Sequence, residues 1–194
     1  MTPVHGTIFF FAALVASILI RAPHATRSAK VKVAESRRGT LEVLLLVLLG
    51  LAVLLLPILH ALTPLLAFAD HPLPWWSFAV GTGLVLCWLW LFHRSHVDLD
   101  TNWSVTLELR EGHRLITGGV YSKIRHPMYT SLFCHAGAQA FLLANWIAGP
   151  AMLVAFTLMF LARLGPEERM LRARFGAQYD DYARRTKRLV PFLW

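Results

Sequence analysis

From Pro127 to Ala162 the chain carries no charged side chain, and no other feature constrains its fold as severely. These 36 residues would make a helix of about 54 Å. A bilayer core is roughly 30 Å thick, so the stretch is expected to fold back on itself. Asn145-Trp146 and Gly149-Pro150 supply turn chemistry and an interfacial indole, which predicts short helices over 127–144 and 147–163. Three more apolar runs precede them: Thr2 to Ile20, Val43 to Ala69 with a kink at Pro57, and His71 to Phe92, which opens with a Pro-Leu-Pro-Trp-Trp belt. The expected fold class is an all-α integral membrane protein of about five transmembrane helices, the fourth and fifth forming a helical hairpin.

A hydrophobic fraction of 56% over 194 residues is too apolar for an ordinary soluble domain of that size. A single membrane domain over 1–194 is expected, with three spans and a basic loop in 1–92 and the chemistry in 93–194. The net charge of +8 could suggest nucleic acid, but the basic residues are sorted by topology. All 19 lie in 21–38, 94–125 and 163–188, and none in 60–74 or 145–149. The positive-inside rule then places the N-terminus outside and the C-terminus in the cytoplasm, in the cell membrane if the source is prokaryotic. Met1-Thr2-Pro3-Val4-His5-Gly6 lacks the positive start of a cleaved signal. Cys87 and Cys134 fall inside apolar runs with no paired spacing, which indicates neither a disulfide framework nor a zinc site.

The cytoplasmic segments differ in character. Arg21, Arg27, Lys30, Lys32, Arg37 and Arg38 read as a basic loop on anionic lipid headgroups. Val105 to Leu109 and His113 to Ile116 alternate about Arg110-Glu111-Gly112 and predict a short cytoplasmic β-hairpin. Gly118-Gly119 suits either close approach to a ligand or an ordinary turn. Gly165-Pro166-Glu167-Glu168 reads as a helix start, and Leu171, Phe175, Tyr179 and Tyr182 continue it as a C-terminal amphipathic helix.

Two constellations could carry chemistry. Arg125-His126-Pro127-Met128-Tyr129 marks the start of the fourth span, where Pro127 pushes His126 to the cap and free N–H groups face the cytoplasm. Snorkelling at a span end would also account for this Arg and His. Glu167 and Glu168 complement a helix dipole, yet they lie at the membrane depth of His126 and Tyr129, where paired carboxylates could hold ribose hydroxyls or a cation. His93, His96, Asp98 and Asp100 have the residue types of a metal site but equally those of a solvated loop, and no metal is expected. No Rossmann or P-loop fingerprint occurs, so a nucleotide-like cofactor would have to be gripped by span ends. No acidic residues punctuate the spans as an ion pathway requires.

With those residues in view, the chain resembles the isoprenylcysteine carboxyl methyltransferase family, in particular its short five-span prokaryotic members. The likeness runs over residues 93–194 and rests on Arg125-His126-Pro127-x-Tyr129 and on Glu167-Glu168-x-x-Leu171-x-x-x-Phe175-Gly176-x-x-Tyr179-x-x-Tyr182 with Arg188-x-x-Pro191. Asn102-Trp103-Ser104 and Glu111-Gly112-His113 add to it. Ser131 stands where many relatives have glycine.

The resemblance implies an S-adenosylmethionine-dependent membrane O-methyltransferase at the cytoplasmic face, acting on the carboxylate of a prenylated cysteine or a similar lipid-tailed acceptor that enters from the bilayer. Phospholipid N-methyl transfer and NADPH-dependent reduction are the alternatives within the wider superfamily. It also implies that His126, Tyr129, Glu167, Glu168 and Tyr182 line the cofactor pocket, closed by backbone from His113 through Val120 to Tyr121. A carboxylate acceptor is already ionised near neutral pH and requires no base. Arg163 is then the first choice for steering the acceptor and Arg125 the second, while an amine acceptor would need a base such as His126 or Glu168.

Overall fold

The computed structural model describes residues 2–36, 39–104, 106, 108–110, 112 and 114–191. Helix α1 (Pro3–Ser28) is capped by Thr2, whose hydroxyl lies 2.6 Å from His5 Nδ1, and Pro3 takes the first position, where its missing N–H costs nothing. Its inward stripe is Gly6, Phe10, Ala13, Leu14, Ser17, His24 and Ser28, at helical spacing. The helix does not stop at Ile20, where the hydropathy falls, but runs on through Arg21 and Pro23. Arg21 therefore follows Ser17 by one turn on the inner face and is not part of a surface loop.

The second apolar run forms α2 (Thr40–Gly50), a π-helical turn (Leu51–Leu55) and α3 (Leu56–Leu62) in one continuous rod. The predicted kink at Pro57 takes this form for a physical reason. A proline ring collides with the carbonyl four residues back and leaves it without a donor, and the wider π turn accommodates both. Helix α4 (Trp75–Leu99) likewise outlasts its apolar run and carries His93 and His96 on its end. Among the described residues, three helical stretches are long and apolar enough to cross a membrane: Pro3–Ser28, Thr40–Leu62 and Trp75–Asn102.

The uncharged stretch folds back as α5 (Pro127–Leu142) and α6 (Ala151–Phe175). The turn is built by Asn145, whose side-chain amide oxygen accepts from the backbone N–H of Ile147 at 3.0 Å and Ala148 at 2.9 Å. The proposed helix start at Gly165-Pro166 is corrected: α6 passes straight through Pro166, and only Gly176, at φ +52°, separates it from α7 (Ala177–Arg185). A proline φ is already helical, so the local cost is one missing hydrogen bond. Continuity keeps Glu167 one turn from Arg163 on the same face.

Helix α5 packs against α4, α4 against α1, and α6 against α2 and α5. Small residues allow the close approaches: a Cβ on Gly6 would stand 2.2 Å from the Leu142 carbonyl oxygen, and one on Gly81 2.6 Å from the Leu142 side chain. One apolar core joins Phe10, Leu14, Trp88, Phe92 and Leu142, and another joins Tyr129, Met152, Phe156 and Phe160. Leu44, Leu86, Trp90 and Leu161 point outward, as lipid-facing side chains do.

The predicted β-hairpin also needs correction. Strand β2 (Glu108–Arg110) does form, but it pairs antiparallel with β1 (Val33–Ser36) after α1, in the register Val33 to Arg110 and Ser36 to Glu108. Alternation encodes a strand and not its partner. Residues 114–117 form no strand.

Candidate active site

The N-terminus of α5, the far end of α6 and the segment after α7 converge. Pro127 holds His126 at the cap with φ −125° and ψ 57°, outside the helical region. The chain after α7 then runs beside it: the Arg125 N–H donates to the Lys187 carbonyl at 2.7 Å and the His126 N–H to the Arg188 carbonyl at 3.0 Å. Thr130 donates to the Leu189 carbonyl at 2.8 Å and thereby fastens the same segment to α5.

Two adjacent carboxylates on α6 face this junction in different ways. Glu167 accepts a short hydrogen bond from the Tyr129 hydroxyl, lies 3.6 Å from His126 Nδ1 and 3.9 Å from Arg163 Nε. Glu168 is a hub: Arg125 Nε reaches it at 3.3 Å, Arg188 through Nε at 3.2 Å and Nη2 at 3.1 Å, and His126 Nε2 lies 3.4 Å away. Burial works against charge on Glu168, but His126, Arg188 and Arg125 outweigh it and hold the carboxyl well below the usual range. Burial likewise works against charge on His126, and Glu167 and Glu168 together raise its pKa.

Beside this cluster opens a cavity of about 480 Å³, within the range of small-molecule sites. Tyr121, Arg125, His126, Tyr129, Arg163, Glu167 and Tyr182 all line it. Glu168 and Val120 do not; they stand behind the wall. Val120 gives its N–H to Asp98 at 2.8 Å, and Asp98 also pairs with Arg94 at 3.2 Å. Gly119 makes this possible, because at φ +59° a Cβ would fall 2.0 Å from the Asp98 carboxylate. The close approach anticipated for Gly118-Gly119 is thus to a protein carboxylate. Tyr182 donates to the Tyr121 carbonyl at 2.7 Å and closes the loop over the cavity. His113 lies outside the described residues.

Several contributors escape a reading of local sequence. Glu42 on α2 lies 3.6 Å from Arg163 Nη1, and its signal was a lone acid at the head of an apolar run. Tyr179 is buried on the cavity wall, and its hydroxyl has no hydrogen-bond partner among the described residues. His96 is buried against Trp103, with ring centres 4.9 Å apart, and donates its Nδ1–H to the Phe92 carbonyl at 2.8 Å. Among the described residues, no three His, Cys, Asp or Glu side chains converge as metal ligands would.

A multi-pass helical bundle around a chamber with one polar wall is the build of an intramembrane enzyme. Residues 79–173 match the isoprenylcysteine carboxyl methyltransferase (ICMT) family. The chain is 28% identical over 142 residues to protein-S-isoprenylcysteine O-methyltransferase B of Arabidopsis thaliana, covering 72% of each. It is 30% identical over 141 residues to the "Probable protein-S-isoprenylcysteine O-methyltransferase" of Oryza sativa subsp. indica, covering 70% of this chain and 72% of that one. Its fold is similar to that of the eukaryotic intramembrane Ras methyltransferase ICMT, with a TM-score of 0.55 and 24% identity over 95% of this chain. It spans 63% of that solved chain. The chain belongs to the isoprenylcysteine carboxyl methyltransferase family, and so to the membrane O-methyltransferases.

Proposed function

We propose that the protein transfers a methyl group from S-adenosylmethionine to the carboxylate of a prenylated cysteine, or of a similar lipid-tailed acceptor, at the cytoplasmic face of the membrane. One observation carries this reading. The same cavity that touches His126, Tyr129 and Glu167 continues along Leu14, Ile18, Leu49, Val53 and Leu54. Ile18 and Leu54 are themselves on the outer apolar surface. A polar cofactor and an apolar tail would thus share one chamber, the first entering from water and the second from lipid. The curated relatives are named for isoprenylcysteine O-methylation, which leaves phospholipid N-methylation and NADPH-dependent reduction without support.

The residues fit the cofactor on their own chemistry. The Glu167 carboxylate suits ribose hydroxyls or a cationic ligand, and the Tyr179 hydroxyl is available to a polar group. The His126 and Tyr129 rings lie 5.4 Å apart at 25° and offer aromatic surface. When bound, S-adenosylmethionine supplies a methyl group on a sulfonium centre. A carboxylate acceptor is already ionised near neutral pH, so the transfer would need no base from the protein. The protein's work is then alignment and exclusion of water, effects that reach roughly 7–11 kcal/mol in well-oriented systems.

Glu42 and Glu167 hold the Arg163 guanidinium on the cavity wall, where it orients the acceptor. Arg125 has a different task in this scheme. It donates to the Ala183 and Thr186 carbonyls as well as to Glu168, and so holds the C-terminal segment shut. Glu168 acts as a positioning residue behind the wall. The reading is tested by incubating the protein in nanodiscs with methyl-labelled S-adenosylmethionine and an S-prenylated N-acetylcysteine. Base-labile label in the prenylated product is expected, and none after repeated trials with a folded sample defeats it. Arg163→Ala should lower turnover at least roughly tenfold with little change in cofactor affinity; full activity in that variant removes Arg163 from the reaction.

A further inference from the structure

The chamber holds another charged centre, on a part of the chain that the family match, beginning at residue 79, does not reach. Arg21 lines the cavity from α1, together with Leu14, Ser17 and Ile18. Its guanidinium carbon lies 5.2 Å from the centre of the Phe92 ring and 5.4 Å from that of Trp103. The Nε atom is buried and has no hydrogen-bond partner among the described residues, and no described carboxylate pairs with the guanidinium. The other buried cations of the wall are different: Arg125 is paired with Glu168, and Arg163 with Glu42 and Glu167.

Two further buried polar groups line the cavity with Arg21. His135 is buried and stacked on Trp88, with ring centres 3.6 Å apart, and both line the same cavity. His135 Nε2 and Trp88 Nε1 have no partner among the described residues. Aromatic faces offset part of the desolvation of a buried guanidinium, but a buried cation is stable chiefly through a counter-ion. An anion in the cavity would give the guanidinium its counter-ion.

We propose that Arg21 docks the carboxylate of the lipid-tailed acceptor, with His135 and Trp88 as neighbouring hydrogen-bond groups and the tail lying along Leu14, Ile18 and Leu54. This rests on the carboxyl methyl transfer proposed above. The methyl donor also carries a carboxylate at its amino-acid end. Arg21 belongs to the apolar wall that the tail would follow, which favours the acceptor. The chemistry has a consequence for release: methylation turns the carboxylate into a neutral ester, so the product loses its ion pair with Arg21. Arg163, its charge shared with two carboxylates, orients the oxygen, and Arg21 binds the charge.

The test is equilibrium binding in nanodiscs of N-acetyl-S-farnesylcysteine, of its methyl ester, and of S-adenosylhomocysteine. The native protein should bind the acid about tenfold or more tightly than the ester. Arg21→Gln should erase that preference by weakening the acid alone, Arg21→Lys should restore part of it, and Arg27→Gln, at an exposed position on the same helix, should leave it intact. S-adenosylhomocysteine affinity should be unchanged throughout. Equal affinity of the native protein for acid and ester overturns the proposal without any variant. A loss in Arg21→Gln that falls on S-adenosylhomocysteine instead also overturns it, and gives the site to the methyl donor. If the acid preference holds while no methyl transfer is detected, the proposed activity fails and the anion site stands.

Discussion

The two ends of the α5–α6 hairpin are built from similar polar residues and do opposite things. At the turn, Asn145 donates to the Leu66 carbonyl at 2.8 Å and to Asp70 at 2.6 Å, and its oxygen takes two backbone N–H groups. Gln139 donates to the carbonyls of Ala52 at 2.9 Å and Ala148 at 2.7 Å. Every one of these partners is the protein itself, and only the Gln139 Oε1 atom of the two amides has none among the described residues. At the other end, Glu167, Tyr179 and His126 border a cavity, and the Tyr179 hydroxyl is left for something else to satisfy. Buried polar groups that close on themselves stabilise a fold, and those left facing a space are suited to a ligand.

That contrast can be broken most forcefully at Glu168, which lies at the site end but behind the wall. Glu168→Ala would take from Arg125, Arg188 and His126 the carboxylate they share, and a loss of about 3–5 kcal/mol is expected from removing one partner of a buried ion cluster. Thermal unfolding in detergent measures it, and an unchanged midpoint would show that the site end has no structural hub. Asn145→Ala should cost about 2–3 kcal/mol by leaving backbone N–H groups unsatisfied, while cofactor affinity measured by calorimetry stays at the native value. A parallel fall in affinity would mean that the two ends are coupled.

Glu167→Gln sharpens the comparison from the other side. Cofactor affinity is expected to fall roughly tenfold, about 1.4 kcal/mol, with little change in melting temperature; calorimetry beside a melting curve separates the two. The smallest effect is in pH. His126 has a raised pKa, so its contribution to stability is complete below the unfolded value of about 6.5 and is lost as pH rises through the folded one. The melting-temperature gap between the native protein and His126→Gln should therefore narrow from about pH 6 toward pH 9. Glu168, with its lowered pKa, runs the other way. Its contribution is present above the unfolded carboxyl value of about 4.3 and is lost only in acid.

Much of the candidate site's placement was legible. Arg125-His126-Pro127 announces a helix start with a capped histidine, because a proline restricts the residue before it whatever surrounds it. His126, Tyr129, Arg163, Glu167 and Tyr182 do meet on one cavity wall. The partners were another matter. Glu42 reaches Arg163 across 121 positions of sequence, and Asp98 receives Val120 from the end of a different helix. Nothing local distinguishes such an acid from one that faces water. Arg21 looked like the first residue of a basic loop because hydropathy falls there, whereas the helix persists for two more turns and turns the side chain inward.

The amino-acid sequence by itself determined the apolar rods, the fold-back of the long uncharged stretch and the helix cap at His126-Pro127, because bilayer thickness and backbone stereochemistry act on each segment alone. Only the tertiary structure decided that β2 pairs with the strand after α1, that α6 continues through Pro166, and which cations find carboxylates. Strand partners, a tolerated proline and the pairing of buried charges all depend on groups distant in sequence, whose joint free energy no single segment contains.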